Sequence, residues 1–181
     1  MDPDRDDDPG FEEDDAPAPP APEGFEVEVS DAQRSIPIDP KAARRLVEDV
    51  LRGEGVASAS ISLAFVDDPT IHRVNREFLD HDEPTDVVTF LLSDEEDGRL
   101  AGELVVSAET AARVAGELGA DPWNEVALYV VHGLLHLCGC DDLDPESAAE
   151  MRAREDAALA RVGLANPFPL ADQARRASRP D

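Results

Sequence analysis

The sequence predicts an α+β domain in which a small mixed β-sheet is covered by helices. Three observations predict it. Stretches that alternate apolar and polar residues interleave with stretches of helical period, in the order β-α-β-α-β-β-α-α-α. Asp-Pro pairs recur where helical stretches begin, at Asp39-Pro40, Asp68-Pro69, Asp121-Pro122 and Asp144-Pro145. Aspartate there can cap free backbone N–H groups, and proline suits the first turn. A helix joins the first two strands, so a right-handed crossover would make them parallel.

The elements follow in order. FEVEVS (Phe25–Ser30) alternates like a strand with one buried face. In residues 39–55 Asp39 caps a helix, Leu46, Val47, Val50 and Leu51 form its apolar face, and Gly53 and Gly55 end it. ASISLAFV (residues 59–66) alternates again, with Ile61, Leu63 and Phe65 on one side. Residues 68–79 form a helix expected to point Ile71, Val74 and Phe78 inward. TDVVTFLL (85–92) and RLAGELVVS (99–107) are two further strands, and Ser107 caps a helix over 108–119. Residues 121–137 make the longest apolar helix, and residues 144–163 an amphipathic one.

The ends differ from the middle. Residues 1–24 are almost entirely Asp, Glu, Pro and Ala, too polar to offset the entropy of ordering, so a disordered tail is expected. Residues 165–181 are expected to be a flexible C-terminal tail, leaving a domain over 25–164. The tails contribute −9 and +1 to the formal charge of −26, so the domain carries −18. It holds one lysine, Lys41, and eleven arginines. Such a balance is unlike a typical nucleic-acid binder, unless basic residues gather on one face. No signal peptide and no membrane-spanning run is apparent, which gives the expectation of a soluble, cytoplasmic protein. The two cysteines, Cys138 and Cys140, are too close in sequence for a mutual disulfide to be favoured.

The segment VVHGLLHLCGCDDLD (Val130–Asp144) carries the chemistry. Trp123, Val126, Ala127, Val130, Val131, Leu134 and Leu135 form a wide stripe for the core. His132 and His136 lie off its centre, one turn apart on one face with Glu125, Leu128 and Tyr129 above them. Two such imidazoles can converge on one ion, each nitrogen about 2 Å away. The helix should stop near Gly139, where a left-handed residue is tolerated, and the chain can then turn Cys140, Asp141 or Asp142 back toward the histidines. The pattern His-x3-His-x2-Gly-x2-Asp shares its spacing with zinc peptidases of the metzincin type. Those carry a glutamate general base directly after the first histidine. Gly133 occupies that position here and cannot take a proton, which argues against peptidase chemistry. Cys138 reads as a small buried residue continuing the apolar stripe; Cys140 as a fourth ligand would make a closed, structural zinc site.

Three stretches together resemble the YbeY family of bacterial rRNA-maturation endoribonucleases. HGLLHLCGCDD is similar to the family's His-Gly-x-Leu-His-Leu-x-Gly-Tyr-Asp-His signature, VNREFLDHDEPTDVVTFLL to its Asn-x-x-Phe…Asp-x-Pro-Thr-Asp-Val-Leu-Ser-Phe segment, and GELVVSAETA to its Gly-Asp-Ile-Val-Ile-Ser strand. They occur in the family's order. The resemblance implies a metal-dependent hydrolase fold with one Zn2+ held by three side chains at the end of the long apolar helix. It implies single-strand-specific RNA cleavage in 16S rRNA 3′-end maturation and ribosome quality control, with rRNA and the small ribosomal subunit as partners. His132 and His136 match the first two ligands. The third position, usually histidine, falls on Asp142, which adds a negative charge and favours harder ions. Asp141 matches the aspartate beside that ligand.

Other departures lie in the second stretch. Leu79 stands where the family often has arginine, His81 replaces a lysine, and Cys140 replaces the tyrosine. Arg76, His81 or Arg99 are candidate phosphate contacts near Thr85 and Asp86, and Arg34, Arg44 and Arg45 form another possible basic patch. The expected reaction is metal-assisted phosphodiester hydrolysis. Asp141, His81 or a substrate phosphate oxygen is the proton acceptor, and water or the RNA 2′-hydroxyl the nucleophile. The alternative is a non-catalytic ribosome-assembly factor with a structural metal.

Overall fold

The computed structural model describes residues 24–80, 82, 84–93 and 98–167. Within them the elements follow in the expected order: β1 (Gly24–Asp31), α1 (Pro40–Gly53), β2 (Ser58–Val66), α2 (Asp68–Leu79), β3 (Val87–Leu91), β4 (Leu100–Ser107), α3 (Ala108–Leu118), α4 (Pro122–Leu137) and α5 (Pro145–Arg161). Of the expected tails, only Gly24 and residues 165–167 fall among the described residues; the rest lies outside them.

The strands form one sheet in the order β1-β2-β4-β3. β1 pairs parallel with β2, and β2 parallel with β4, while β3 runs antiparallel to β4 at the edge. The sheet is therefore mixed, and the α1 crossover makes the first two strands parallel as expected. Strand alternation divides the core. Ile61, Leu63 and Phe65 of β2 and Leu104 and Val106 of β4 face the large core, shared with α1, α4 and α5. Val66, Val88 and Val105 face the other way and meet Ile71 of α2 in a smaller cluster. α4 is buried nearly all round, with Glu125, Leu128 and Tyr129 buried as fully as its apolar stripe.

The Asp-Pro starts cap their helices with one shift of position. Asp39, Asp121 and Asp144 accept N–H groups of the first turn, and Asp144 forms a reciprocal capping box with Ser147. At α2 the cap is Asp67, one residue earlier than the Asp-Pro pair suggests, because its carboxylate reaches the amide of Thr70 at 3.0 Å. Asp68 is freed to accept the hydroxyls of Ser107 and Thr110, which ties the start of α2 to that of α3.

A second difference concerns Phe78. Ile71 is buried as expected, but Phe78 is 68% exposed. The last turn of α2 extends beyond the apolar surface that the sheet offers, and the ring packs edge-on against Phe90 with centroids 5.7 Å apart.

Two glycines let α4 lie close to the sheet. A Cβ on Gly133 would stand 2.8 Å from Leu104 Cδ2, 3.0 Å from Thr89 Cγ2 and 3.2 Å from Val87 Cγ2. A Cβ on Gly102 would stand 2.6 Å from Leu137 Cδ1 and 3.2 Å from the Phe90 carbonyl oxygen. These are closer than carbon atoms normally approach, so a side chain at either position would force its neighbours to shift. In an unconstrained helix, alanine would be better than glycine by roughly 1 kcal/mol. Overpacking a core costs about 1–3 kcal/mol. Gly133→Ala is therefore expected to lower stability by about 1 kcal/mol net, read from urea denaturation midpoints at unchanged slope. A stabilised variant would show that the helix has room to move.

Candidate metal centre

The site is built by one helix and the turn that stops it. His132 and His136 stand one turn apart on the rigid, buried α4. The helix ends in paired reverse bonds: Cys140 N–H donates to Leu135 O at 3.0 Å and Gly139 N–H to His136 O at 3.0 Å, with Gly139 at φ +88°. This is the Schellman arrangement, and its left-handed residue is the glycine anticipated from the sequence. The turn aims the Cys140 carbonyl back along the helix, where it accepts from His136 Nδ1 at 3.0 Å. It also brings Asp142 across to both rings, with carboxylate oxygens 4.0 Å from His132 Nε2 and 3.9 Å from His136 Nε2. One donor atom from each of His132, His136 and Asp142 lies within 4.8 Å of the others.

The hydrogen bonds decide which nitrogens face the centre. A carbonyl oxygen can only accept, so His136 carries its proton on Nδ1 and, when neutral, has a lone pair on Nε2. His132 Nδ1 lies 2.7 Å from Glu155 Oε1 on α5, which likewise draws the proton to Nδ1. The two Nε2 atoms then face each other at 3.0 Å. Two lone pairs at that separation repel unless something positive lies between them. Ligands about 2.0–2.1 Å from a tetrahedral zinc ion stand about 3.3 Å apart, so the pair is close to the required spacing. Nitrogen, nitrogen and carboxylate oxygen are all ordinary zinc donors. The residues fit a divalent ion. A single proton can take its place, and His132 has the environment for it. Burial opposes the charged ring, but the hydrogen bond and charge of Glu155, helped by Asp86 and Asp142, outweigh it and raise its pKa above the usual 6.5.

The other sequence-predicted residues fall in different places. Asp141 is exposed and its carboxylate accepts the amide of Leu143 at 3.3 Å, outside the converging group. His81 lies outside the described residues. The Cys140 thiol points to Arg154, whose Nη1 is 3.2 Å away, and not to the histidines. Burial pushes the Cys138 thiol up to about 11, in keeping with a packing role. Arg99 is held by Glu26 at 2.9 Å and by the Ala59 carbonyl at 3.1 Å, and Arg44 donates through Nε to the Val27 carbonyl. Asp86 accepts the amide of Val87 and lies near enough to act on the charge of His132. Glu155 was not among the residues singled out from the sequence. Its signal is there: it sits in the buried stripe of α5 between Met151 and Leu159, an acidic residue where an apolar one is expected.

The profile of the endoribonuclease YbeY family matches residues 28–163. The chain belongs to that family. Among curated members, endoribonuclease YbeY of Rhodopirellula baltica is 47% identical over 64% of this chain and 60% of its own length. That of Carboxydothermus hydrogenoformans is 37% identical over 76% of this chain and 98% of its own length. The solution structure of TM1509 from Thermotoga maritima shares the fold, with a TM-score of 0.52, 22% identity, and coverage of 76% of this YbeY-family chain and 91% of the other.

Two outcomes are expected for the centre. Elemental analysis after chelator-free purification should find near-stoichiometric zinc, lost in His136→Ala and in Asp142→Ala; retention in Asp142→Ala would move the third ligand elsewhere. Protons compete with metal for His132, so affinity should fall as pH drops through its raised pKa. Glu155→Gln removes the raising charge. It should move the midpoint of that fall to lower pH while weakening metal binding about 10–100-fold at high pH. In the metal-free protein the sign reverses: the His132–Glu155 contact stabilises the fold fully below about pH 6.5 and is lost as pH rises through the raised value.

Proposed function

We propose that this protein is a zinc-dependent, single-strand-specific endoribonuclease that acts in 16S rRNA 3′-end maturation and ribosome quality control, with rRNA on the small ribosomal subunit as substrate and the cytoplasm as its place of work. Family membership supports the RNA-cleaving part. The observation that carries the metal-dependent part is the convergence of His132 Nε2, His136 Nε2 and the Asp142 carboxylate. When bound, a zinc ion supplies Lewis acidity and a lowered pKa for water during phosphodiester hydrolysis. The protein's own contribution is orientation. Glu155 and the Cys140 carbonyl hold both rings in the tautomer that presents Nε2. The buried α4 keeps the two nitrogens at fixed separation. Asp142 offsets part of the ion's charge, and its exposed side leaves the centre open to a large substrate.

Gly133 cannot serve as a base, and the packing against Leu104 and Thr89 leaves no room for a glutamate there. Proton acceptance falls to Asp141, His81 or a substrate phosphate oxygen, the three acceptors that the sequence reading offers. The directed Cys140 thiol argues against a closed four-ligand structural site, and so against a purely structural metal.

The test is cleavage of a single-stranded RNA, its duplex and its 2′-deoxy analogue by the zinc-loaded chain. Single-stranded RNA should be cut, the duplex spared, and activity lost with chelator and in His136→Ala. Cleavage of the deoxy analogue would exclude the 2′-hydroxyl as nucleophile. No cleavage at any zinc concentration would leave the assembly-factor reading.

A further inference from the structure

The metal chemistry leaves one arginine of α5 unused, and its contacts lead back to the centre. Arg154 directly precedes Glu155, the residue that holds His132. Successive helical side chains diverge by about 100°. Glu155 therefore faces α4, while Arg154 reaches round to the turn that ends α4. Its Nη1 donates to the Cys140 sulfur and to Glu54 Oε2, each at 3.2 Å, and its Nη2 lies 3.1 Å from Glu150 Oε1. Glu54 stands at the C-terminal cap of α1, and Glu150 one turn earlier on α5. The Cys140 carbonyl in turn accepts from His136 Nδ1. We infer that Arg154 is a positioning residue of the metal centre, which by gripping the Cys140 side chain fixes the turn that orients His136 and delivers Asp142. α5 thus frames both histidines, His132 directly through Glu155 and His136 at one remove through Arg154. This rests on the metal-dependent part of the reading above and names a further residue that shapes the same site.

The placing of Asp142 explains why a grip on the turn matters. The backbone bonding of α4 runs out at Cys140, whose N–H closes the helix end on Leu135 O. Asp142 lies two residues further on, in the connection to α5, which starts at Pro145. The Asp141 carboxylate bonds within that connection, to the amide of Leu143. A cavity of about 240 Å³ lies between the turn and α5, lined by Gly139 and Cys140 on one side and by Met151 and Arg154 on the other. Dispersion contact weakens steeply across a gap, so packing contributes little to fixing the turn there. Arg154 spans the gap with a directed contact instead. Arginine suits the task, because its rigid planar fork serves partners in α1, the turn and α5 at once.

The arrangement belongs to a departure of this chain. Cys140 takes the place of the tyrosine in the family signature. A short side chain there leaves room for the guanidinium to reach the turn. The same contact accounts for the direction of the thiol, toward Arg154 and away from the converging donors.

The probes are Zn2+ and Co2+ alone, added to the full metal-free chain, with zinc affinity read by competition against a chromophoric chelator. Arg154→Met keeps the stem and removes the guanidinium; Cys140→Ala removes the sulfur. Each should weaken zinc binding about tenfold, the lower end of the range for groups that hold a metal ligand in place. The double variant should be no weaker than either single one, because both remove the same contact. Cys140→Ser keeps an acceptor for Arg154 and should stay within about threefold of wild type. A merely structural role gives a different pattern. Arg154→Met also breaks the pair with Glu54, so its effect on the urea midpoint should persist in the Cys140→Ala background, while its effect on zinc affinity should not. Cobalt checks the thiol itself: wild type should show d–d bands and no sulfur-to-cobalt charge-transfer band. Unchanged zinc affinity in Arg154→Met, or losses that add in the double variant, overturn the clamp and leave the metal centre standing. A sulfur-to-cobalt band in wild type also overturns it, by making Cys140 a ligand. Wild type that takes up neither ion overturns the metal-dependent reading itself.

Discussion

The close approach of α4 to the sheet is the constraint on which the rest depends. α4 carries both histidines, fills the large core and is buried on almost every side. Gly133 and Gly102 remove the two side chains that would hold it away from β3 and β4. The consequence is a helix that cannot rotate or slide without opening the core. Its two imidazoles are therefore held at a separation that suits one ion, before any ligand arrives. The glycine beside the first histidine also explains a chemical difference. Zinc peptidases place their base at that position, whereas here the space is occupied by Leu104 and Thr89. The packing that fixes the two imidazoles removes the peptidase base.

The electrostatics of the centre are unusual for a protein proposed to handle RNA. Two carboxylates, Asp142 facing the donors and Glu155 behind His132, surround a pair of rings in an already acidic domain. Together they balance the charge of a divalent ion, so the loaded centre presents little net positive charge of its own. Metal capture benefits from this, and long-range attraction of phosphate does not. A substrate must then be recognised by shape and apolar contact as well as charge. In this respect the departures at Leu79 and Asp142 belong together: each exchanges a cationic or neutral group of the family pattern for one less attractive to a phosphate.

Much of the architecture could be read directly from residue order. Period-two and period-3.6 stretches are distinguishable because strand side chains divide between two faces and every helix but α4 has a polar side. The Asp-Pro starts and the Gly139 stop mark helix ends through local hydrogen bonding, which needs no tertiary context. Reading failed where a local rule met a boundary set by packing. Asp67 and Asp68 are equally good caps in isolation, and only the attachment of Asp68 to Ser107 and Thr110 separates them. Phe78 continues an apolar stripe, yet the sheet ends before the stripe does.

The candidate site divides along the same line. By itself, the sequence determined that His132 and His136 share a helical face, that a glycine ends the helix just beyond them, and that acidic residues follow the turn. These are matters of spacing along one chain, so local geometry suffices. Only the tertiary structure decided that Asp142 and not Asp141 or the Cys140 thiol converges on the rings, because the turn aims three adjacent side chains in different directions. Only it revealed Glu155, which lies 23 residues from the histidine it holds. A carboxylate in the buried stripe of α5 has no visible partner until α4 and α5 pack side by side.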